Sequence, residues 1–363
     1  MKLPVHLALF FKDFAVWVNQ SCTGLHVAGY CTAQVLRKAG IDVHVFPVRN
    51  NIDVAQALEN YNARHDNPIT HVVISAPWLS VWDLSCLVEA YPETQFVVLS
   101  HSNVGFLQAD PDGVHLLRKY MDLPYENLKV GGNSQKFVEW LDCAYAYDAE
   151  YLPNLYPMED CREPKRWENP FVLKIGAFGA VRPYKNFMTA AAAALALSED
   201  LFYRVEFHMS SGGEGDGWGI IPAIEQMLDG TGVRLVKHDW KLWRDFIEVV
   251  GQMDLLLQPS YTESFNMITA DGIWAGVPSV VSPAIGWAPD SWWADPDDAN
   301  DIARVAKEIL NNKTAVLDGR KAIQAHNEDA FFWWKLFLFG EVEYEEPRSW
   351  FSRLWSRILG GRR

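Results

Sequence analysis

The chain has 363 residues, 49% hydrophobic and 21% charged. That is the composition of a soluble globular protein with room for two domains and their own cores. Its formal net charge of −14 excludes a broad basic face for nucleic acid and leaves room only for local patches. The cysteines Cys22, Cys31, Cys86, Cys143 and Cys161 are odd in number and scattered, which fits reduced thiols. Neither they nor the histidines show metal-ligand spacing, so no protein-bound metal is expected. Met1-Lys2 leads straight into a strand-like run without a small-residue cleavage site, and no stretch reaches roughly 18 apolar residues. A cytoplasmic protein without a leader or membrane span is expected.

In chain order, "VHLALFF" (5–11) is an apolar strand, and "GLHVAGYCTAQVLRKAG" (24–40) is a helix closed by Gly40. Strands follow at 42–48, 70–77 and 95–100, with a helix at 82–91. Segments 127–132 and 150–154 continue the alternation. Short β-branched runs separated by helices specify a parallel sheet covered on both faces. "YPMEDCREPKRWENP" (156–170) is charged, holds prolines, has no periodicity and reads as a linker. The alternation then restarts. Strands are expected at 171–179, 203–211, 233–238 and 254–260, and helical segments at 185–199, 221–230 and 244–252. "AAAAALAL" (190–197) is too short to span a membrane and reads as a buried helix. The fold class is therefore α/β, with two doubly wound Rossmann-like domains facing a cleft. Ligands in such sheets sit at the carboxyl ends of the strands.

The segment "PSYTESFNMITADGIWAGVPSVVS" (259–282) concentrates the chemistry. A strand ends near Pro259, Glu263 lies on the strand-to-helix loop, and a helix starts near Phe265 or Asn266. That helix carries Asp271 and ends at Gly276-Val277-Pro278. The first backbone N–H groups of such a helix have no partner within it, and with the helix dipole they make a site suited to phosphate.

This segment resembles the E-x7-E signature of retaining glycosyltransferases of the GT-B fold, family 4 in particular. Glu263 matches the first acid, and Asp271 stands where the second is usually Glu. The resemblance covers roughly residues 1–345 and is strongest from 171 to 300. It implies that Glu263 meets hydroxyls of the donor sugar and Asp271 the nucleotide ribose. "IGAFGAVRPYKNF" (175–187) resembles the loop whose Arg and Lys hold the nucleoside diphosphate, here Arg182 and Lys185. Cations and helix N–H groups stabilise such a leaving group without a metal. Ser264, Phe265, Asn266 and Met267 complete the implied donor site, with Ser264 and Asn266 standing where relatives often have small residues. In the first domain, "SCTGLHVAG" (21–29) resembles the family's glycine loop, with Thr23 and Gly24 nearest the cleft. "VVLSHSN" (97–103) resembles the strand end whose His faces the donor sugar, which makes His101 a candidate for a hydroxyl contact or a proton relay. A satisfied structural histidine is the alternative. Asn133 and Ser134 fit either a site or helix caps.

Two D-x-D triplets, Asp110 to Asp112 and Asp295 to Asp297, could hold a divalent cation, but both stand in Pro-containing turns before helices, and the second reads better as a helix-capping stretch. The loop "SSGGEGDGWG" (210–219) lacks the lysine of a phosphate cradle. Of the tryptophans near 286–293, some could line an acceptor entrance. "AFFWWKLFLF" (330–339) matches the family's crossover back to the first domain.

The tail "PRSWFSRLWSRILGGRR" (347–363) places Trp350, Phe351, Leu354, Trp355, Ile358 and Leu359 along one helical face. Arg353 and Arg357 lie opposite, and Arg362-Arg363 close the chain. It reads as a membrane-surface anchor, a partner-docking helix or a helix packed on its own domain.

The expected organisation is an acceptor-side domain over 1–157, a nucleotide-sugar domain over 170–325, a crossover over 326–346 and the tail over 347–363. The expected activity is transfer of a sugar from a nucleoside diphosphate to an acceptor hydroxyl, with retention and with no cofactor or metal. The acceptor (lipid, polysaccharide, protein, small molecule or a modified DNA base) is left open. The rivals are an epimerase or phosphorylase of the same fold and a non-catalytic scaffold.

Overall fold

The computed structural model describes residues 4–13, 24–164, 171–201, 204–211 and 219–340. The amphipathic tail at 347–363 and Thr23 of the glycine loop lie outside the described residues. Two compact units divide the chain. Among the described residues the first comprises 4–13, 28–157 and 324–340, and the second 24–27 and 158–323.

The first unit is built on a parallel sheet. Its strands are β1 (His6–Lys12), β2 (Asp42–Val48), β3 (His71–Ser75), β4 (Gln95–Ser100), β5 (Leu128–Gly132) and β6 (Glu150–Tyr151). Their order is β2-β1-β3-β4-β5-β6. The helices are α1 (Gly24–Lys38), α2 (Asn51–Asn62), α3 (Val81–Ala90), α4 (Pro111–Met121) and α5 (Gln135–Tyr145). Alternation along each strand feeds two cores. Ala8, Phe10, Val72, Ile74, Phe96 and Val98 point into a layer completed by Val54, Leu84, Leu117 and Phe137. Leu7, Leu9, Val43, Val73, Val97 and Leu99 point into the other, closed by Ala33, Leu36 and Trp334. Burial on both faces is why these strands read as unbroken apolar runs.

Helix α2 is not among the elements expected from the sequence, and α4 is expected only as the helix that follows the Asp110 turn. Their cues are the caps: the Asn50 side chain accepts from Asp53 N, and that of Asp110 from Gly113 N. The strand expected at 150–154 is only Glu150–Tyr151. Beyond it Pro153, Asn154 and Tyr156 turn their backbone to Trp334, His326 and Asn327 of α11 (Ala315–Phe339).

The second unit repeats the plan with β7 (Val172–Ala177), β8 (Arg204–Ser210), β9 (Val233–His238), β10 (Leu255–Gln258) and β11 (Ser279–Val281), in the order β11-β10-β7-β8-β9. The helices are α6 (Phe187–Leu201), α7 (Ile220–Leu228), α8 (Trp243–Val250), α9 (Met267–Ala275) and α10 (Ala299–Asn311), followed by the start of α11. Ala190, Ala191, Ala193 and Ala194 of α6 are buried, and their small side chains let α10 pack closely against it. No described helix is long and apolar enough to cross a membrane.

The described part of the 156–170 linker is pinned. Arg162 N donates to Trp274 O, its guanidinium pairs with Glu248, and its carbonyl accepts from Arg320. The tryptophans near 290 are largely structural. Trp292 is fully buried and fits because position 319 has no side chain: a Cβ on Gly319 would lie 2.5 Å from Trp292 Cη2 and 3.0 Å from Ile273 Cγ1.

Two outcomes follow from this packing. Gly319→Ala should cost about 1–3 kcal/mol through overpacking, seen as a lowered midpoint in thermal unfolding. The second concerns His326, whose ring nitrogen donates to Asn154 O and whose pKa burial pushes down to about 4. The unfolded chain then binds a proton that the folded one refuses, so this contribution is lost as pH falls from about 6.5 toward 4. Between pH 7.5 and 5 the wild type should lose more thermal stability than His326→Gln, which keeps a donor for Asn154 and does not titrate.

Candidate functional site

At the carboxyl end of β10 the chain leaves a buried strand and must turn within eight residues into α9. Asn266 makes that turn. It has the left-handed conformation (φ 69°) that Asn tolerates better than most side chains. Its Oδ1 accepts from Thr269 N at 2.8 Å and caps α9. Its Nδ2 donates to Gln258 Oε1 at 3.1 Å and to Glu263 Oε1 at 2.9 Å.

Glu263 sits inside this loop, 8% exposed. Its Oε1 also accepts from Ser260 Oγ at 2.7 Å and from Lys185 Nζ at 2.5 Å. One carboxylate oxygen therefore takes three donors. Oε2 takes no hydrogen bond among the described residues and is not sealed from solvent.

Lys185 reaches Glu263 because the loops after β7 and β10 are joined. Lys185 closes a short 3₁₀ turn, Pro183–Lys185, and Asn186 follows in the left-handed conformation (φ 57°). Asn186 Nδ2 donates to Pro259 O at 3.1 Å and to Pro296 O at 2.6 Å, and Tyr261 N donates to Tyr184 O at 2.9 Å. Arg182 stands at the head of the turn in extended backbone, half-buried, with its carbonyl accepting from Lys185 N.

The remaining residues singled out from the sequence fall as follows. Ser264 is half-buried beside Glu263, and Met267 opens α9. Phe265 is buried and stacked on Trp287, whose indole N–H donates to Phe265 O. Asp271 is 2% exposed, and its Oδ1 accepts from the Trp243 indole at 3.0 Å. Gly24 opens α1.

His101 belongs to the first unit, just past β4. Its Nδ1 lies 3.3 Å from Asn133 Nδ2. Its Nε2 is closed off from water without a partner among the described residues. Burial pushes its pKa down to about 4, so the ring is neutral at pH 7. Since Nδ1 accepts from an amide, Nε2 carries the proton. Ser134 occupies the cap position of α5, but its side chain makes no capping bond.

In the D-x-D turns, Asp110 caps α4, Asp295 Oδ1 accepts from Asp297 N, and Asp298 caps α10. Among the described residues no group of three or more His, Cys, Asp or Glu is placed to hold a metal ion. The sequence reading quoted Ser260 and Asn186 within its two motif segments but gave neither the role of holding the carboxylate or the lysine turn. It overlooked Trp243, and a histidine pair on β8 and β9, which no motif marks.

No protein-family model matches the chain, and no curated protein matches it. Solved structures do. Sucrose-phosphate synthase from Thermosynechococcus elongatus superposes with a TM-score of 0.66 at 15% identity, over 92% of this chain and 98% of that one. Anabaena Alr3699/HepE, in complex with UDP and glucose, gives 0.61 at 13% identity, over 92% and 98%. WaaG, a glycosyltransferase involved in lipopolysaccharide biosynthesis, gives 0.55 at 14% identity, over 92% and 100%. At these identities the likeness establishes the fold: two parallel-sheet α/β domains of the GT-B kind.

The loop geometry makes a direct test. Asn266→Ala removes the cap and two donated bonds and leaves at positive φ a residue that tolerates it less well than Asn, for an expected loss of about 2–4 kcal/mol. Asn266→Gly, which accepts the backbone freely, should lose less. Thermal unfolding of the two variants side by side measures the difference.

Proposed function

We propose that the chain is a glycosyltransferase that moves a sugar from a nucleoside diphosphate to an acceptor hydroxyl, with retention and without a metal. The observation that carries the reading is the carboxylate of Glu263. Lys185, Ser260 and Asn266 hold it through one oxygen, and the other oxygen is left open at the head of α9. A fixed acceptor of this kind suits a sugar hydroxyl, and holding the sugar in one orientation lowers the barrier to its transfer.

In the reaction the bond from the anomeric carbon to the diphosphate oxygen breaks, and its electron pair leaves on the phosphate. The acceptor oxygen bonds to that carbon and gives up its proton to the departing phosphate oxygen. Charge builds on the leaving diphosphate. Lys185 Nζ gives one N–H to Glu263 and has two more. Arg182 and the N–H groups of Met267 and Ile268, which helix geometry leaves without intrahelical acceptors, add to the positive field. Solved structures of similar fold include one in complex with UDP and glucose, which supports a nucleotide-sugar donor. The tail at 347–363 would hold the protein at an anionic membrane surface, and its deletion should then abolish salt-sensitive vesicle binding in cosedimentation.

Incubation with a panel of nucleotide sugars should release nucleoside diphosphate from one of them. Glu263→Gln should depress that turnover while nearly preserving nucleoside diphosphate affinity. Lys185→Ala should weaken nucleoside diphosphate binding by about 1.5–3 kcal/mol and leave nucleoside binding unchanged. Calorimetry showing equal losses for both ligands would remove Lys185 from the phosphate site.

A further inference from the structure

A hydrogen-bond chain centred on the buried His208 runs along the neighbouring strands of the second unit. Glu206 and His208 on β8 share one face with Arg234 and His238 on β9, because Glu206 pairs in register with Arg234 and Ser210 with His238. Arg234 Nη1 holds Glu206 Oε1 at 3.1 Å, and Glu206 Oε2 lies 3.4 Å from His208 Nε2. His208 Nδ1 lies 2.8 Å from His238 Nε2, with the two rings stacked.

The protons on this chain are assigned by its two ends. A carboxylate only accepts, so His208 Nε2 carries a hydrogen. Burial first, and His238 second, push His208 down to about 4, so it is neutral and its Nδ1 is a lone pair. His238 Nε2 must then donate to it. Burial, and next Lys241, lower His238 as well, against the pull of Asp239. His238 is therefore neutral, with Nδ1 bare. That atom has no hydrogen bond among the described residues and is not sealed from solvent.

His238 is the last residue of β9, at the carboxyl end of the sheet where doubly wound folds bind ligands. A bare nitrogen lone pair repels phosphate and takes only a donor. The strand order β10-β7-β8-β9 puts three strand spacings, about 14 Å, between the Glu263 strand and this one. That reach is too long for one sugar. It suits a nucleoside diphosphate with its phosphates at Lys185 and its base at the edge strand.

We propose that His238 Nδ1 accepts a hydrogen bond from an N–H of the donor's nucleobase, with Glu206 and His208 as positioning residues that fix the tautomer. This rests on the nucleotide-sugar reading above. The other charged groups around the pair are Lys174, Asp239 and Lys241. Among the described residues neither lysine donates to His208 Nδ1, which leaves His238 Nε2 as its donor.

Titration calorimetry with UDP, GDP, ADP, CDP and inorganic pyrophosphate tests it, with nitrogen-15 NMR of the histidines at pH 7. His238→Phe should weaken binding of the preferred nucleoside diphosphate about tenfold and leave pyrophosphate within about twofold. Glu206→Ala should weaken it by a smaller factor, and Glu206→Gln, whose amide oxygen still accepts from His208, should restore it. NMR should show His238 neutral with hydrogen on Nε2. If the wild type binds none of the four nucleoside diphosphates, the donor reading falls and the base assignment with it. If it binds one and His238→Phe loses nothing, or loses as much for pyrophosphate, only the base assignment falls. Hydrogen on Nδ1 of His238 overturns the relay even if the variants fail to fold.

Discussion

Three donors on one oxygen of Glu263 are the constraint around which the second unit's strand-end loops are arranged. A carboxylate at 8% exposure is costly to bury unless its charge is met. Here it is met by an ammonium, a hydroxyl and an amide drawn from two loops. Each donor is itself tethered. Asn266 caps α9, Ser260 stands just past the end of β10, after Pro259, with its carbonyl accepting from Ser282, and Lys185 sits on a turn fastened by Asn186. Removing any one of them loosens the others, because the network satisfies itself only as a whole.

The cost of that arrangement is in the backbone. Asn186 and Asn266 both adopt positive φ, which glycine would take with less strain, yet each uses its amide for bonds that glycine could not make. Asn186 bridges Pro259 and Pro296, and Asn266 bridges Gln258 and Glu263. The same residue type thus appears on both loops for the same physical reason: a short side chain that tolerates the left-handed region and can cross-link. In the proposed reading, the fixed carboxylate and the half-buried lysine hold a sugar diphosphate in one orientation.

The acid at 271 shows how environment changes the meaning of a residue. It follows Glu263 by eight positions, yet its environment differs. Glu263 keeps one oxygen open, whereas Asp271 is 2% exposed and bonded to the Trp243 indole. An aspartate reaches less far than a glutamate, and a donor from α8 meets it. In the proposed reading, recognition of the nucleoside then depends more on the edge strands, where His238 stands.

Much of the fold was legible in the sequence, because strands buried on both faces are forced to be apolar. β1, β3 and β4 could hardly be anything else. The helix after Pro259, its start near Asn266 and its end at Gly276 were also legible, since caps and glycines leave local marks. Helix α2 escaped because only Val54, Leu58 and Tyr61 on it are buried and it depends on packing for its stability. The resemblance picked out Glu263, Lys185 and Arg182, but sequence spacing could not say that the lysine and the glutamate, 78 residues apart, touch. Nor could it find Ser260, Trp243 or the His208–His238 pair, which acquire their roles only when loops meet or strands align in register. Local chemistry is written along the chain. Which oxygen is held, which is open and which nitrogen keeps its lone pair are decided by partners distant in sequence, and only the folded chain brings those together.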